Sequence, residues 1–462
     1  MTPLYFFKIS CLSVLMLLTN ACSESGSSGS PGGIDRGGVT IGTISGFGSV
    51  IVNGIKFNTD NANIFDGSDP TDESRLDVGQ VVMVTGDIDS KTSTGVASSI
   101  VLTTELIGPV TAIDATNQTV TILGQLVQLN NDTLFDQENA SIDSLKIGDY
   151  LRVYGLRASS EIVASRLEHE TDMMNVDVRG KIESLDLNLQ RFEINEQVID
   201  YSMVSLDDLT KRALQDGLFV RVTATTLLEG VVLAEVIINE TDRFKLEEKT
   251  DVELEGVIDS SPGAGEFLLS GYRVKFDAER TEIEGGDESE IVAGMRVEVE
   301  GIVNADGEIF ADEIKIKTSA NARIEGTVQF VDLASKTLIV EGLTLSTTET
   351  TQFLDKSDAK VRKFSLADIG VGDKVEAKGY MSGEVLIVNQ LRRESADDEI
   401  NLEGEVSAFS NEDIVVNGIQ VLITDETQVD KDFWEDVGVG QRIKVEAMRD
   451  ASGRIIAEKI KI

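Results

Sequence analysis

The sequence predicts an all-β protein made of six small five-stranded barrels in tandem, and three observations carry that reading. One glycine pattern recurs six times, the apolar residues inside each copy alternate with period two, and each copy leaves room for a single short helix. Every copy opens on a strand with a glycine: Gly42-Thr43-Ile44, Gly108-Pro109-Val110, Gly180-Lys181-Ile182, Gly256-Val257-Ile258, Gly326-Thr327-Val328 and Gly404-Glu405-Val406. These opening glycines stand about 66 to 78 residues apart. A second signature follows, a glycine with Gly or Ala seven places on: Gly79/Gly86, Gly148/Gly155, Gly217/Ala224, Gly294/Gly301, Gly372/Gly379 and Gly440/Ala447. A closing strand then starts near a small residue, as in Ala97-Ser98-Ser99-Ile100 or Ala457-Glu458-Lys459-Ile460.

Within a copy, Val297-Glu298-Val299-Glu300 and Ile443-Lys444-Val445-Glu446 set apolar residues on one face and charges on the other, the mark of a half-buried antiparallel strand. Between the second and third strands, Asn53-Gly54, Glu341-Gly342 and Asn417-Gly418 supply residues that tolerate positive φ, as two-residue hairpins require. Asn304-Ala305-Asp306-Gly307-Glu308 and Asp450-Ala451-Ser452-Gly453 read as hairpin turns before the last strand. Ahead of the fourth strand, Ser205–Leu214 and Asp432–Val437 suit about one to three helical turns. Each copy therefore reads β-β-β-(short α)-β-β, an OB-like barrel whose closure hides its edges. A propeller is disfavoured, because its blades are shorter and carry four strands. The repeats are bounded at 39–104, 105–172, 173–245, 246–318, 319–396 and 397–462. With short linkers, neighbours should touch, in a string or a curved rod.

Ahead of the repeats, 1–21 reads as a signal peptide, with Lys8 before an apolar run, Ile9–Leu18, that is short for a permanent membrane span. Leu17-Leu18-Thr19-Asn20-Ala21-Cys22 resembles the lipobox of bacterial lipoproteins, which implies lipidation at Cys22. Cleavage there removes Cys11 and leaves one cysteine without a partner, which the lipid explains. Residues 22–38, rich in Ser and Gly, read as a flexible tether. Ser23, rather than Asp, after the cysteine implies the outer membrane, by resemblance to lipoprotein sorting rules. The stretch Gly42-Thr43-Ile44-Ser45-Gly46-Phe47-Gly48-Ser49-Val50-Ile51-Val52-Asn53-Gly54, with Leu76-Asp77-Val78-Gly79-Gln80-Val81-Val82 and Gly86, resembles a bacterial repeat domain of unknown function found in tandem in predicted lipoproteins. The resemblance brings no catalytic residues with it.

Composition narrows the function classes. With 81 Asp and Glu against 41 Lys and Arg, the net charge of −40 repels phosphate backbones and argues against nucleic acid as a partner. The only histidine, His169, sits among acids at the end of a closing strand and reads as structural, which leaves little for His-based or zinc catalysis. No nucleophile-elbow, zinc-protease or phosphate-loop motif is present. Most carboxylates are expected on solvated strand faces. No cofactor is required; calcium is the best-supported candidate, with Asp66, Asp69, Asp72 and Glu73 gathered in one loop, although a solvated acidic turn explains them as well. Trp434 reads as a plug at the bottom of a barrel rather than a sugar platform. The expectation is a non-enzymatic lipoprotein of the cell envelope, held to the membrane only by its N-terminal lipid. It would act as a scaffold or spacer for an envelope protein. The alternatives are a polysaccharide-binding module or carbohydrate-active enzyme, and a spacer that depends on divalent cations.

Overall fold

Hydrogen bonding in the fifth repeat shows how one copy closes. The computed structural model describes residues 37–462 apart from 90–91, 138–139, 159–160, 172–174, 205–213, 241–245, 264, 278 and 431–432. The fifth repeat has five strands, Ala322–Asp332, Thr337–Val340, Leu343–Asp355, Lys374–Ser382 and Val385–Arg393. The first pairs antiparallel with the second, the second with the third, and the third runs parallel to the fifth. The fifth then pairs with the fourth, and the fourth returns to the first, so the sheet has no free edge. The first, second, fourth and sixth repeats close in the same order, 1-2-3-5-4-1. The third keeps the order with broken strands: Val176–Lys181 and Glu183–Asp186 together stand where the others have one first strand.

The glycine pattern has a steric origin. Asn53-Gly54, Glu341-Gly342 and Asn417-Gly418 all adopt positive φ, forming tight hairpins whose first side chain folds back over the opening glycine of the barrel. A Cβ on Gly42 would lie 2.0 Å from Oδ1 of Asn53, and one on Gly404 would lie 1.9 Å from Oδ1 of Asn417. The glycine seven places after the turn marks a bulge. At Gly379 the register between the fourth and fifth strands shifts by a residue, and a Cβ there would stand 1.9 Å from the carbonyl oxygen of Ile387. Ala447 takes the same place in the sixth repeat, also at a register shift.

The helix expected between strands three and four shrinks to a single turn. It is 3-10 at Glu73–Arg75, Ile142–Ser144, Glu288–Glu290 and Leu366–Asp368, and a four-residue α turn at Phe433–Asp436. In the third repeat the segment 205–213 lies outside the described residues. The turn is short because it is capped at once and then leaves for the core. Asp72 accepts from the backbone N–H of Ser74 at 2.8 Å, and the next residue after the turn, Leu76, is extended and buried. A short extra strand precedes the turn and runs parallel to the end of the fifth strand, as at Asn63–Asp66 and Glu282–Glu284.

Barrels meet through their first strands. The first and fourth repeats pair in parallel from Gly38–Asp251 to Ile41–Leu254, a contact between non-neighbours that a string of copies lacks. The second and third pair antiparallel at Leu106–Val178, and the fifth and sixth from Arg323–Glu403 to Glu325–Asn401. Across the last two junctions the apolar interiors merge: Val153 and Val220 share one core, as do Ile324 and Val445. Each fully buried Leu or Ile side chain contributes about 1.5–3 kcal/mol, so a separated barrel would lose stability along its first strand.

Candidate functional site

The alternation that makes a barrel puts every second residue of its strands on the outside, and in the fourth repeat that outer face is covered by other repeats. Strands Asp251–Gly263, Arg296–Val303 and Ile309–Ile316 lie side by side there. Their register stacks carboxylates in a row, with Glu253 opposite Glu300 and Glu300 opposite Glu313. The next row is Glu255, Glu298 and Lys315. Over these rows opens a cleft of ≈ 610 Å³, walled by Thr43 and Asn53 of the first repeat, Gln352 and Asn389 of the fifth, and Asp132 of the second. Asp132 ties the walls together, accepting from the backbone N–H of Ala320 and from Nδ2 of Asn389, both at 3.1 Å.

Most charges on this face are partnered. Glu255 receives Nε of Arg296 at 2.8 Å and the backbone N–H of Thr43 at 2.9 Å. Burial alone would raise its pKa, but Arg296, Lys317 and Thr43 hold it below the usual carboxylate value. Glu298 takes Nζ of Lys317 at 2.7 Å and of Lys315 at 3.5 Å. Lys315 also reaches Glu313 at 3.1 Å, and these carboxylates raise its pKa against the opposing effect of burial. Glu253 is the exception. It is 8% exposed, and among the described residues no hydrogen bond or ion pair reaches its carboxyl group, although Asn53 approaches its backbone carbonyl at 3.5 Å. Burial, then the charges of Glu298 and Glu300, push it up to about 9, so it carries a proton at neutral pH. Glu300 is raised for the same reasons, burial first and Glu313 next. The arrangement can store a proton and accept a positive charge.

At two other junctions buried polar groups have partners. Tyr154, fully buried between the first and second repeats, accepts Nη2 of Arg75 at 2.7 Å, and burial together with Glu168 pushes its phenol up to about 12. Lys374 sits between the fifth and sixth repeats, with Asp397 at 2.5 Å and Glu325 at 3.7 Å. Partnered networks of this kind fix how the barrels dock.

The residues singled out in the sequence fall elsewhere. Cys22, the signal segment 1–21 and the tether up to residue 36 lie outside the described residues. Asp66 pairs with Arg75 at 3.0 Å and Arg152 at 3.8 Å, Asp72 caps its 3-10 turn, and Glu73 accepts from Oγ1 of Thr59 at 2.9 Å, while Asp69 is exposed. Asp66, Asp72 and Glu73 have separate partners, and among the described residues no three His, Cys, Asp or Glu side chains are grouped to hold a metal ion. His169 donates its backbone N–H to Asp136 at 2.9 Å and sets Nδ1 3.1 Å from the same carboxylate. Trp434 is 45% exposed, whereas Phe433 is 1% exposed and plugs the barrel. Adjacent residues on one helical turn face about 100° apart, so only one of the two can enter the core; the other ring packs edge-on, 5.0 Å between centroids. No described helix is long and apolar enough to cross a membrane.

The fold and its junctions define an array of six repeats, five of them closed five-stranded barrels and the third a broken one, docked through their first strands. A family model described as "Domain of unknown function (DUF5666)" matches residues 38–101, 107–168, 179–238, 255–315, 325–387 and 403–461, so the chain belongs to the DUF5666 family. Among curated proteins, none matches it.

Proposed function

We propose that this chain is a non-enzymatic lipoprotein of the cell envelope, anchored through Cys22 to the outer membrane on its periplasmic or surface face, whose six barrels serve as a protein-binding scaffold or spacer. One observation carries the reading: the repeats use their first strands on one another, through sheet pairing and buried ion pairs, which favours a body of fixed geometry over six independent binding modules. A fixed body held by a Ser- and Gly-rich tether suits presentation of one surface at a set distance from a membrane. The test compares the full chain with Cys22→Ser in intact envelopes, by membrane fractionation and crosslinking with mass spectrometry. The expected result is membrane recovery and one set of crosslinked envelope proteins for the native chain, with both lost in the variant. Equal membrane recovery of the two chains overturns the anchor, and an absence of specific crosslinks overturns the scaffold.

A further inference from the structure

We propose that the cleft between the first, fourth and fifth repeats binds an aliphatic diamine, with Glu253 and Glu300 receiving one of its ammonium groups. Glu253 is 8% exposed and lines a cleft of ≈ 610 Å³, and among the described residues its carboxyl group has no hydrogen-bond or ion-pair partner. Charged groups buried in proteins are ordinarily paired, and here the nearby cations are committed elsewhere: Arg296 to Glu255, Lys317 to Glu298, and Lys315 to Glu298 and Glu313. Glu300 stands directly opposite Glu253, and like charges so placed are unfavourable until a positive charge joins them. With both acids ionised, this pair has no cation of its own among the described residues.

Shape selects the kind of cation. A calcium ion wants six to eight oxygens at about 2.3–2.6 Å, and among the described residues no three carboxylates, those of this row included, are gathered closely enough to hold a metal ion. An alkylammonium needs only two or three acceptors, and its carbon chain uses the length of the cleft. Toward the fifth repeat the walls turn neutral and polar, with Thr348, Thr350 and Gln352, and the exposed Glu349 stands at the rim, where it pairs with Lys336 through one carboxylate oxygen and leaves the other to meet a second ammonium group. The chain's net charge of −40 raises the local concentration of such dications. Because Glu253 is protonated in the free protein, binding displaces its proton to solvent. This site is independent of the anchor at Cys22.

The experiment is calorimetric titration of the full chain at pH 8 with 1,4-diaminobutane, with 1,4-butanediol as an uncharged analogue and calcium chloride as the metal alternative. Expected are saturable binding of the diamine only, release of about one proton when buffers of different ionisation enthalpy are compared, and affinity at least about tenfold weaker in Glu253→Gln. The amide is isosteric and removes an uncompensated acid, so this variant keeps its fold, which thermal melting checks. Glu446→Gln, on the sixth repeat, is expected to bind as the native chain does. No saturable diamine binding, equal binding of the diol, calcium binding in place of the diamine, or unchanged affinity in Glu253→Gln each overturns the proposal.

Discussion

Replacing Glu253 by Gln is expected to stabilise the fourth repeat, by an amount that grows with pH. In the unfolded chain this carboxyl titrates near its ordinary value of 4.5, whereas in the fold it titrates near 9. Between those values the native state holds one proton that the unfolded state has released, so native stability falls by about 1.4 kcal/mol per pH unit from this group alone. Its contribution is fully present below pH 4.5 and is lost as pH rises toward 9. Gln carries no proton to lose, so the gap between variant and native protein opens with the same slope. At pH 5 the gap should stay below about 1 kcal/mol; by pH 8 the full linkage approaches 5 kcal/mol. Local relaxation and water entry reduce that figure, and about 2–4 kcal/mol is expected. Urea unfolding at the two pH values gives the global effect. Amide exchange in strands Asp251–Gly263 and Arg296–Val303 reads local opening of the repeat even where the six barrels do not unfold together. A variant less stable than the native protein at pH 8, or a gap that stays constant with pH, would refute the reasoning.

Three further outcomes follow from named contacts. Asp355 binds Arg393 through two hydrogen bonds of 2.6 and 3.0 Å and also accepts from Ser357 and Val361. Burial opposes its ionisation, but these donors hold its pKa well below the ordinary value, so its stabilisation is present above about pH 4 and fades in more acid solution. Asp355→Ala should cost about 1.5–3 kcal/mol at pH 7 in urea unfolding, and less at pH 3, because it removes two charge-assisted hydrogen bonds from Arg393, which keeps the carbonyl of Asp368 and the carboxylate of Asp373. Gly379→Ala drives a Cβ onto the backbone carbonyl of Ile387 and should cost about 1–3 kcal/mol, while Ala447→Gly, at the same bulge of the sixth repeat, should cost under about 1 kcal/mol by the same measurement. Phe433→Ala should cost about 3–5 kcal/mol and Trp434→Ala under about 1.5, with thermal melting of the full chain separating the two.

What could be read in the sequence was local. Gly79 and its five counterparts, with φ between +85° and +96°, Asn53-Gly54 with both residues at positive φ, and the bulge at Gly86 are demands that a few consecutive atoms make on one residue. Such demands recur with the repeat, so six aligned glycines disclosed five strands and their closure. The size of the helix was less legible, because Ser365 and Asp368 cap a single 3-10 turn with the same residue types that would begin a longer helix. The cleft was hidden for a different reason. Period two says that Glu253, Glu298 and Glu300 point out of their barrel, and this is correct, but outside a barrel is solvent only while the barrel stands alone. Once the first strand of one repeat pairs with that of another three copies away, the same outward carboxylates become an interior. A trace of this was present all the same: the glycine register places Glu253 and Glu300 on adjoining strands, and a row of acids without a facing cation is a poor arrangement for an ordinary solvated sheet face. In a tandem array, then, like charges aligned across neighbouring strands of one copy point to the place where another copy, or a ligand of opposite charge, covers that face.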